Sequence, residues 1–421
     1  MTKIRQPKCL EYVASGCNFT RITNDGAWQD PANLDAINGM FLALQKPKHK
    51  FSIMYNAFQE ERFGPLFQNY KDSVYQIHAD SGGLQMVTQG KTPTPKLRTD
   101  VYHNQRFCDV AMSFDEIPVF IAGERSTRLD MSNRFFDPEI FEGAAKQTGQ
   151  NLAEQLIYFD KNNIQSKPLL IAQGNSLDTY FRWVKIAITE VPETLRPSIG
   201  GLAMGYAALG NGMLEDIKRA YYFSQFKNLE IGSHLHLLGV GSLSRILPHI
   251  VFVHNGVYPD IHISYDSSTH TSGPEQGRHY IDKETIAFGK VKNETYSRIY
   301  DDILRIFGRS FDLDLGSLHG ALTCGGYVNA QRIFGSTKEA IQAFVIMFAA
   351  SVANFQKHTD DVIASKEALL NEYSGIKRAA IKSLYEVKTV EDFQHWEKHV
   401  GQSLPSNSVK LKPVSLQSLF E

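Results

Sequence analysis

Three aspartates, Asp80, Asp115 and Asp266, each follow a short apolar run of the sequence, which places a carboxylate at a predicted strand end. Taken singly, each is also explained as a turn residue or a helix N-cap. Two carboxylates on either side of a glycosidic carbon would instead support catalysis at the glycosidic bond. One would attack the sugar carbon, and the other would move protons on the departing group.

A glutamine and several glycines occupy similar positions. Gln173 precedes Gly174, and residues 200–205 have the sequence GGLAMG. Glycines after a strand let a ligand approach backbone N–H groups, although a tight corner of the fold explains them equally well. A carboxylate accepts from purine N1–H and N2–H donors, whereas an amide both donates and accepts. Asp115 and Gln173 therefore have the residue types that guanine requires.

The elements that must position these residues repeat as strand, polar loop and helix. Apolar runs without alternation predict strands buried on both faces. The predicted strands are Phe51–Tyr55, Val74–His78, Val110–Phe114, Leu169–Ala172, Ile199–Met204, Leu235–Leu238 and Ile261–Tyr265. The helices predicted between them include Pro138–Phe159, Leu177–Ile188 and Met213–Phe226. Polar residues after so many strands favour an α/β fold of the (β/α)8 TIM barrel type, because barrel strand ends converge on one face. A doubly wound sheet would gather only the loops at its switch point.

Three regions are predicted. Residues 1–50 lack clear periodicity and form an irregular N-terminal extension, 51–335 form the catalytic barrel, and 336–421 form a C-terminal helical region and tail. The helices predicted in the last region are Lys338–Phe355, Ala364–Leu384 and Val390–His399. From Gln402 onward the sequence predicts a loose tail.

The composition limits the classes of function. The 421 residues include 44 Lys and Arg against 45 Asp and Glu, for a net charge of −1. This balance excludes a nucleic-acid binder driven by bulk positive charge, but not one with a local basic groove. With 42% hydrophobic and 21% charged residues, the chain can bury a sizeable core.

Cysteine usage and hydropathy predict a reducing, cytoplasmic setting. Cys9, Cys17, Cys108 and Cys324 are scattered and have no CxxC spacing. Residues 1–10 contain no apolar segment of the signal-peptide kind. No apolar run reaches the roughly 18 residues that a membrane span needs.

The ordered set of motifs resembles the tRNA-guanine transglycosylase family over about residues 50–270. The matching positions are Asn56, Asp80-Ser81-Gly82-Gly83 with Gln85, Phe114-Asp115-Glu116, Gln173-Gly174, Gly200-Gly201-Leu202-Ala203 with Gly205, Leu238-Gly239-Val240-Gly241 and Asp266. Each motif is modest alone, but their order along the chain is specific.

The resemblance implies a (β/α)8 barrel that exchanges guanine for a 7-deazaguanine through a covalent enzyme–nucleic acid intermediate. Asp266 would be the nucleophile and Asp80 the general acid and base. The residues implied in binding the base are Ser81, Leu84, Asp115, Gln173, Gly200, Gly201, Leu202, Leu238 and Gly239. The target nucleotide would leave its stack, and the small-molecule partners would be guanine and the free 7-deazaguanine.

One departure from the family concerns its structural zinc site. In the corresponding region this chain has only Cys324, with His319 five residues earlier, which is not a tetrahedral set. We therefore expect no zinc and no other cofactor. His234 and His236 would share one face of a strand, where packing or hydrogen bonding is a simpler explanation than metal binding.

Further departures indicate a different polymer. Leu84 and Leu238 would sandwich the base in place of an aromatic residue and a methionine. Tyr206 stands where many tRNA enzymes have a glutamate, which favours the neutral nitrile substituent of preQ0. A basic segment with Pro93 and Pro95 is predicted as a rigid loop along phosphates. The predicted nucleic-acid-binding residues are Lys91, Lys96, Arg98 and Arg278.

These departures resemble the DpdA-type DNA-guanine transglycosylases of bacteria and phages. DNA is thus the expected polymer, no membrane partner is expected, and a phage-encoded member would act in the host cytoplasm. The sequence does not decide whether the protein forms a homo-oligomer or whether accessory proteins open the DNA. The alternatives are a tRNA-guanine transglycosylase without zinc, an inactive nucleic-acid-binding paralogue and an unrelated barrel hydrolase. Retention of both Asp80 and Asp266 argues against an inactive paralogue, since a binder needs no nucleophile.

Overall fold

The structure, a computed structural model, describes residues 9–15, 50–58, 71–89, 91–117, 120–121, 129–130, 138–174, 177–205, 212–223, 229–258, 260–270, 278–281, 284–287, 293–308 and 337–404. Its strands are β1 (Leu10–Ala14), β2 (Ser52–Asn56), β3 (Ile77–Asp80), β4 (Val110–Met112), β5 (Phe120–Ile121), β6 (Leu129–Asp130), β7 (Lys167–Ala172), β8 (Gly201–Gly205), β9 (His234–Leu238), β10 (His262–Ser267), β11 (Arg278–Ile281) and β12 (Glu284–Ala287).

Eight of these strands close into a barrel in the order β1-β10-β9-β8-β7-β4-β3-β2, and every neighbouring pair is parallel. The predicted TIM barrel is confirmed. The pairs β5–β6 and β11–β12 form two-stranded antiparallel ribbons. The helices are α1 (Gly83–Thr88), α2 (Pro95–Asn104), α3 (Pro138–Lys161), α4 (Leu177–Glu190), α5 (Met213–Phe223), α6 (Leu243–His254), α7 (Asn293–Phe307), α8 (Thr337–Ile363), α9 (Lys366–Leu370), α10 (Gly375–Leu384) and α11 (Val390–His399).

The first barrel strand lies inside the segment predicted as an N-terminal extension. β1 pairs with β10 on one side and with β2 on the other, so it closes the barrel. Glu11 interrupts its apolar pattern, and its fully buried carboxylate contacts histidines inside the barrel. The strand was missed because the partners that make a buried glutamate tolerable are distant in sequence.

The C-terminal helix α8 belongs to the outer layer of the barrel. Its Gln356 side chain accepts a hydrogen bond from the Tyr12 backbone N–H at 2.9 Å, and Thr359 Oγ1 lies 2.9 Å from the Tyr265 hydroxyl. Farther on, the helix predicted at 364–384 is two helices. Gly375, with a φ of +53°, begins the second of them in the left-handed region. The predicted tail beyond residue 404 lies outside the described residues.

Side chains alternate between two cores, as a barrel requires. In β8, Leu202 and Met204 pack into the apolar layer between the strands and the helices. Ala203 faces the opposite way and joins Leu169 and Ile171 in a second apolar cluster, which we assign to the barrel interior. Over the described part of the chain, no helix is both long and apolar enough to cross a membrane.

Candidate active site

The strand ends bring most of the predicted site residues to one rim of the barrel. Asp80 is the last residue of β3, Asp115 lies three residues after β4, and Gln173 directly follows β7. Gly239 directly follows β9, and Asp266 is the penultimate residue of β10. Because all eight strands are parallel, their C-terminal ends share one face, where TIM-barrel enzymes hold their active sites.

Asp266 is held as a carboxylate. Its Oδ1 accepts a hydrogen bond from the Gly239 backbone N–H at 2.7 Å and lies 3.4 Å from His236 Nε2. Burial acts to raise the pKa of Asp266, but the His236 imidazole, the Gly239 N–H and the Ser15 side chain outweigh it. The pKa of Asp266 therefore lies below its ordinary value. An ionised carboxylate at this rim can act as a nucleophile.

Asp80 has the opposite electrostatic environment. Burial raises the pKa of its carboxyl to about 7, and the negative charges of Asp115 and Asp266 act in the same direction. The backbone N–H groups of Gly82 and Ser81 only partly oppose this rise. A carboxyl group that titrates near neutrality can both donate and accept a proton under physiological conditions.

Asp115 and Gln173 form a hydrogen-bonded pair at the rim. The amide Nε2 of Gln173 donates to Asp115 Oδ2 at 2.7 Å, and the Ser81 hydroxyl donates to Oδ1 at 3.4 Å. Burial raises the pKa of Asp115 to about 6, although these two partners and its own backbone N–H favour the charged form. The pair presents oxygen acceptors and an amide in fixed positions, a suitable surface for the polar edge of a purine.

Three glycines leave the space that these side chains fill. A Cβ atom at Gly82, whose φ is +79°, would lie 2.5 Å from Asn56 Oδ1. A Cβ atom at Gly83 would lie 2.7 Å from Asp115 Oδ1, and one at Gly205 would lie 2.5 Å from Gln173 Oε1. The Asp115 carboxylate and the Gln173 amide therefore occupy space that a side chain at Gly83 or Gly205 would take, and Gly82 leaves room for Asn56.

The structure corrects the placement of the Gly-Gly pair and of Leu202. Gly200 precedes β8 and Gly201 begins it, so both lie at the N-terminal end of the barrel, opposite the rim. A Cβ atom at Gly201, whose φ is +147°, would lie 1.9 Å from the His234 carbonyl oxygen, and one at Gly200 would lie 2.9 Å from Lys167 Cβ. These glycines allow close approach of neighbouring backbones, while Leu202 packs under the helices.

Other predicted base-binding residues lie nearer the rim. Leu238 ends β9, is half-buried and packs against the apolar cluster assigned to the barrel interior. Ser81 is fully buried and supports Asp115 through its hydroxyl. Leu84 lies in α1, and its side chain is outside the described residues. Tyr206 is also outside them. Gly205 was not among the predicted base-binding residues, although a Cβ atom there would lie 2.5 Å from Gln173 Oε1.

The segment predicted as a rigid loop along phosphates is a helix from Pro95 onward, so the predicted loop conformation is wrong there. Thr94 Oγ1 accepts from the Leu97 N–H at 3.2 Å, and Pro95 occupies the first turn of α2, a favourable start for a helix. Within α2, Lys96 lies 2.6 Å from Asp100 and Arg98 lies 3.1 Å from Glu154. Both predicted phosphate ligands are thus paired with carboxylates.

Lys91 precedes this helix. Its Nζ lies 4.7 Å from the centroid of the Phe58 ring, which follows the C-terminal end of β2. Lys91 therefore keeps a position near the rim. The Arg278 side chain, His319 and Cys324 lie outside the described residues. Among the residues that the structure does describe, no group of three or more His, Cys, Asp or Glu side chains is arranged to hold a metal ion.

Two residues close to Asp266, His236 and Ser264, were given no role from the sequence. His236 faces Asp266, and its Nδ1 lies 2.7 Å from the Ser264 hydroxyl. The shared strand face of His234 and His236 was predicted, and both imidazoles contact that one hydroxyl. The signal for Ser264 is its spacing two residues before Asp266, which puts both side chains on one face of β10.

A comparison of the chain with protein-family models and with curated proteins finds no match.

Proposed function

We propose that this protein is a guanine transglycosylase acting on DNA, where it exchanges guanine for a 7-deazaguanine such as preQ0. One observation carries the proposal. Two carboxyl groups at one barrel rim have pKa values displaced in opposite directions, below the ordinary value for Asp266 and up to about 7 for Asp80. Such a pair divides the roles of nucleophile and proton carrier between two aspartates.

The first half of the exchange uses both carboxyl groups. Asp266 forms a bond to C1′ of the target nucleotide while the C1′–N9 bond to guanine breaks. The proton on Asp80 passes to the departing base. Asp115 and Gln173, already paired at 2.7 Å, supply acceptors for N1–H and N2–H and an amide for the remaining polar edge of guanine.

The second half reverses these events with a new base. The incoming 7-deazaguanine loses its N9–H proton to Asp80, and N9 forms a bond to C1′. The bond between C1′ and Asp266 breaks, which releases a free carboxylate. Atoms and protons balance over the cycle, so the exchange needs no oxidant or reductant.

The choice of DNA and of preQ0 is supported by the sequence. The family zinc cluster is missing after Asp266, and Tyr206 replaces the glutamate that would support a cationic substituent. The tRNA enzyme and the inactive binding paralogue are the alternatives. An inactive binder would have no use for a nucleophile held by Gly239 and His236.

The test is a base-exchange assay with radiolabelled guanine or preQ0, offered to duplex DNA, single-stranded DNA and unmodified tRNA in parallel. We expect label to enter DNA and a DNA adduct to survive denaturing electrophoresis. Asp266→Asn should abolish both signals. The matched control is Asp109→Asn, because Asp109 precedes β4 at the opposite end of the barrel and accepts from the Ile77 N–H at 2.9 Å.

Each outcome decides between the candidates. Label entering DNA in the wild type and in Asp109→Asn, but not in Asp266→Asn, supports the proposal. Label entering tRNA alone would assign the protein to the RNA branch. Binding without any label or adduct would favour the inactive paralogue. Full activity in Asp266→Asn would refute the mechanism.

A further inference from the structure

Four imidazoles and a carboxylate are enclosed by the barrel below the rim. This histidine cluster consists of His78, His234, His236 and His262 together with Glu11 and Ser264. The interior of a TIM barrel is usually filled by branched aliphatic side chains. Burying a polar group costs free energy unless it has a hydrogen-bond partner. We therefore expect this buried cluster to have a function.

The cluster is connected to the nucleophile by a line of polar contacts. His236 Nε2 lies 3.4 Å from Asp266 Oδ1, which is within ion-pair range but longer than a typical hydrogen bond. His236 Nδ1 lies 2.7 Å from the Ser264 hydroxyl. The same hydroxyl lies 2.6 Å from His234 Nε2. Behind this line, the His234 and His262 rings stack with centroids 4.3 Å apart, and His262 Nε2 lies 2.7 Å from Glu11 Oε2.

Electrostatics fixes the direction of the protons along this line. Burial lowers the pKa values of His234 and His236, so both imidazoles are neutral and each carries one proton. If that proton were on Nδ1 of His236, its Nε2 lone pair would face the Asp266 carboxylate. The favourable order therefore has His234 donate to Ser264, Ser264 donate to His236 Nδ1, and His236 Nε2–H point at Asp266.

We propose that His236 is the positioning residue for the nucleophile, with its Nε2–H oriented through Ser264 and His234. With the Gly239 N–H, it orients the Asp266 carboxylate that forms the bond to C1′. The role of this carboxylate as nucleophile rests on the proposed function. The proton on His236 stays in place during the reaction, because the leaving base takes its proton from Asp80.

The inference is tested without substrate by following the ionisation of Asp266. Carbon-13 NMR of protein labelled at aspartate Cγ gives a titration curve, assigned by its loss in Asp266→Asn. His236→Leu removes the donor and should move the Asp266 titration to higher pH, because burial then acts with less opposition. His236→Gln places an amide donor near the same position and should shift the Asp266 titration less than His236→Leu does.

Two further variants make the test specific. Ser264→Ala removes the group that orients His236 and should shift the Asp266 titration in the same direction. His249→Leu is the matched control, because His249 is also fully buried but lies on α6, with its Nδ1 3.2 Å from the Tyr258 hydroxyl. It should leave the titration of Asp266 unchanged. The other titratable groups around this line, Asp80 and His78 on β3, Glu11 on β1 and His262 on β10, are retained in all variants.

Adduct formation with DNA supplies the second readout. His236→Leu should slow adduct formation about 10- to 100-fold at saturating DNA, with Gln restoring part of the rate. An unchanged Asp266 titration in both His236→Leu and Ser264→Ala would overturn the positioning role. If the wild type forms no adduct but the titration shifts as expected, the positioning role stands and the transglycosylase proposal fails.

Discussion

In the proposed exchange, the proton on Asp80 determines how fast the covalent adduct forms at each pH. Burial raises the pKa of Asp80 to about 7, while that of Asp266 lies below its ordinary value. Between pH 6 and pH 8, Asp266 stays ionised and Asp80 loses its proton. The protonated fraction of Asp80 falls from about 90% to about 10%, so the rate of adduct formation should fall about tenfold.

Replacing Asp115 tests one cause of the raised pKa of Asp80, the negative charge of the neighbouring carboxylate. Burial raises the pKa of Asp115 to about 6, so it carries its negative charge above that pH and helps to keep the proton on Asp80. Asp115→Asn removes the charge and should lower the pKa of Asp80. The tenfold fall in rate should then occur at lower pH. The position of the fall along the pH axis is the readout, since weaker base binding changes mainly its amplitude.

The assay is single-turnover adduct formation without free base, which isolates the half-reaction in which Asp80 acts as an acid. Enzyme in excess over labelled DNA is quenched at several pH values of constant ionic strength, and the adduct is measured on a denaturing gel. A rate that is flat or rising from pH 6 to pH 8 would refute the acid role of Asp80. A fall displaced to higher pH in Asp115→Asn would refute the electrostatic argument.

Two other substitutions at the rim have defined outcomes. Because Asp80 titrates at about 7 in the fold and at 3.8 ordinarily, the free energy of unfolding should fall as pH rises between these values. Asp80→Asn should therefore raise the free energy of unfolding by up to about 4 kcal/mol at pH 8 and by less at pH 5, as measured by urea denaturation. Equal free energies of unfolding for Asp80→Asn and the wild type at pH 8 would contradict this prediction. Gly205→Ala should displace the Gln173 amide from Asp115, since its Cβ would lie 2.5 Å from Gln173 Oε1. Base affinity measured by calorimetry should fall about tenfold with little change in stability, whereas Gly143→Ala, with nothing within 4 Å, should leave affinity unchanged.

Much of the fold and part of the site follow from local patterns. An apolar run followed by a carboxylate marks a strand and its C-terminal end, and it does so at Asp80, Asp115 and Asp266. Parallel topology then brings those ends to one face. The helix Val390–His399 was predicted with its observed bounds because its signals are local. Thr389 caps it, and Asp392 completes a capping box.

Strand register and the pairing of side chains from different elements could not be predicted from local patterns. Gly200 and Gly201 match a family motif, but hydrogen bonds to the neighbouring strands place them at the N-terminal end of β8. Arg98 looks available for phosphate in sequence, yet it is paired with Glu154 on another helix, 56 residues away. Such contacts depend on which elements become neighbours, and one-dimensional patterns do not carry that information.

The sequence by itself determined the barrel fold, the strand-end carboxylates and the presence of an acid and an amide after two of the strands, because each depends on residue type and on spacing within one strand and loop. Only the tertiary structure decided the protonation of those carboxyl groups. Asp80 and Asp266 both lie at the C-terminal ends of β-strands, but Asp80 is buried near two other negative charges, whereas Asp266 contacts Gly239 and His236. A pKa reflects the charges, donors and solvent around a group, and those come from every part of the chain that the fold brings to the barrel rim.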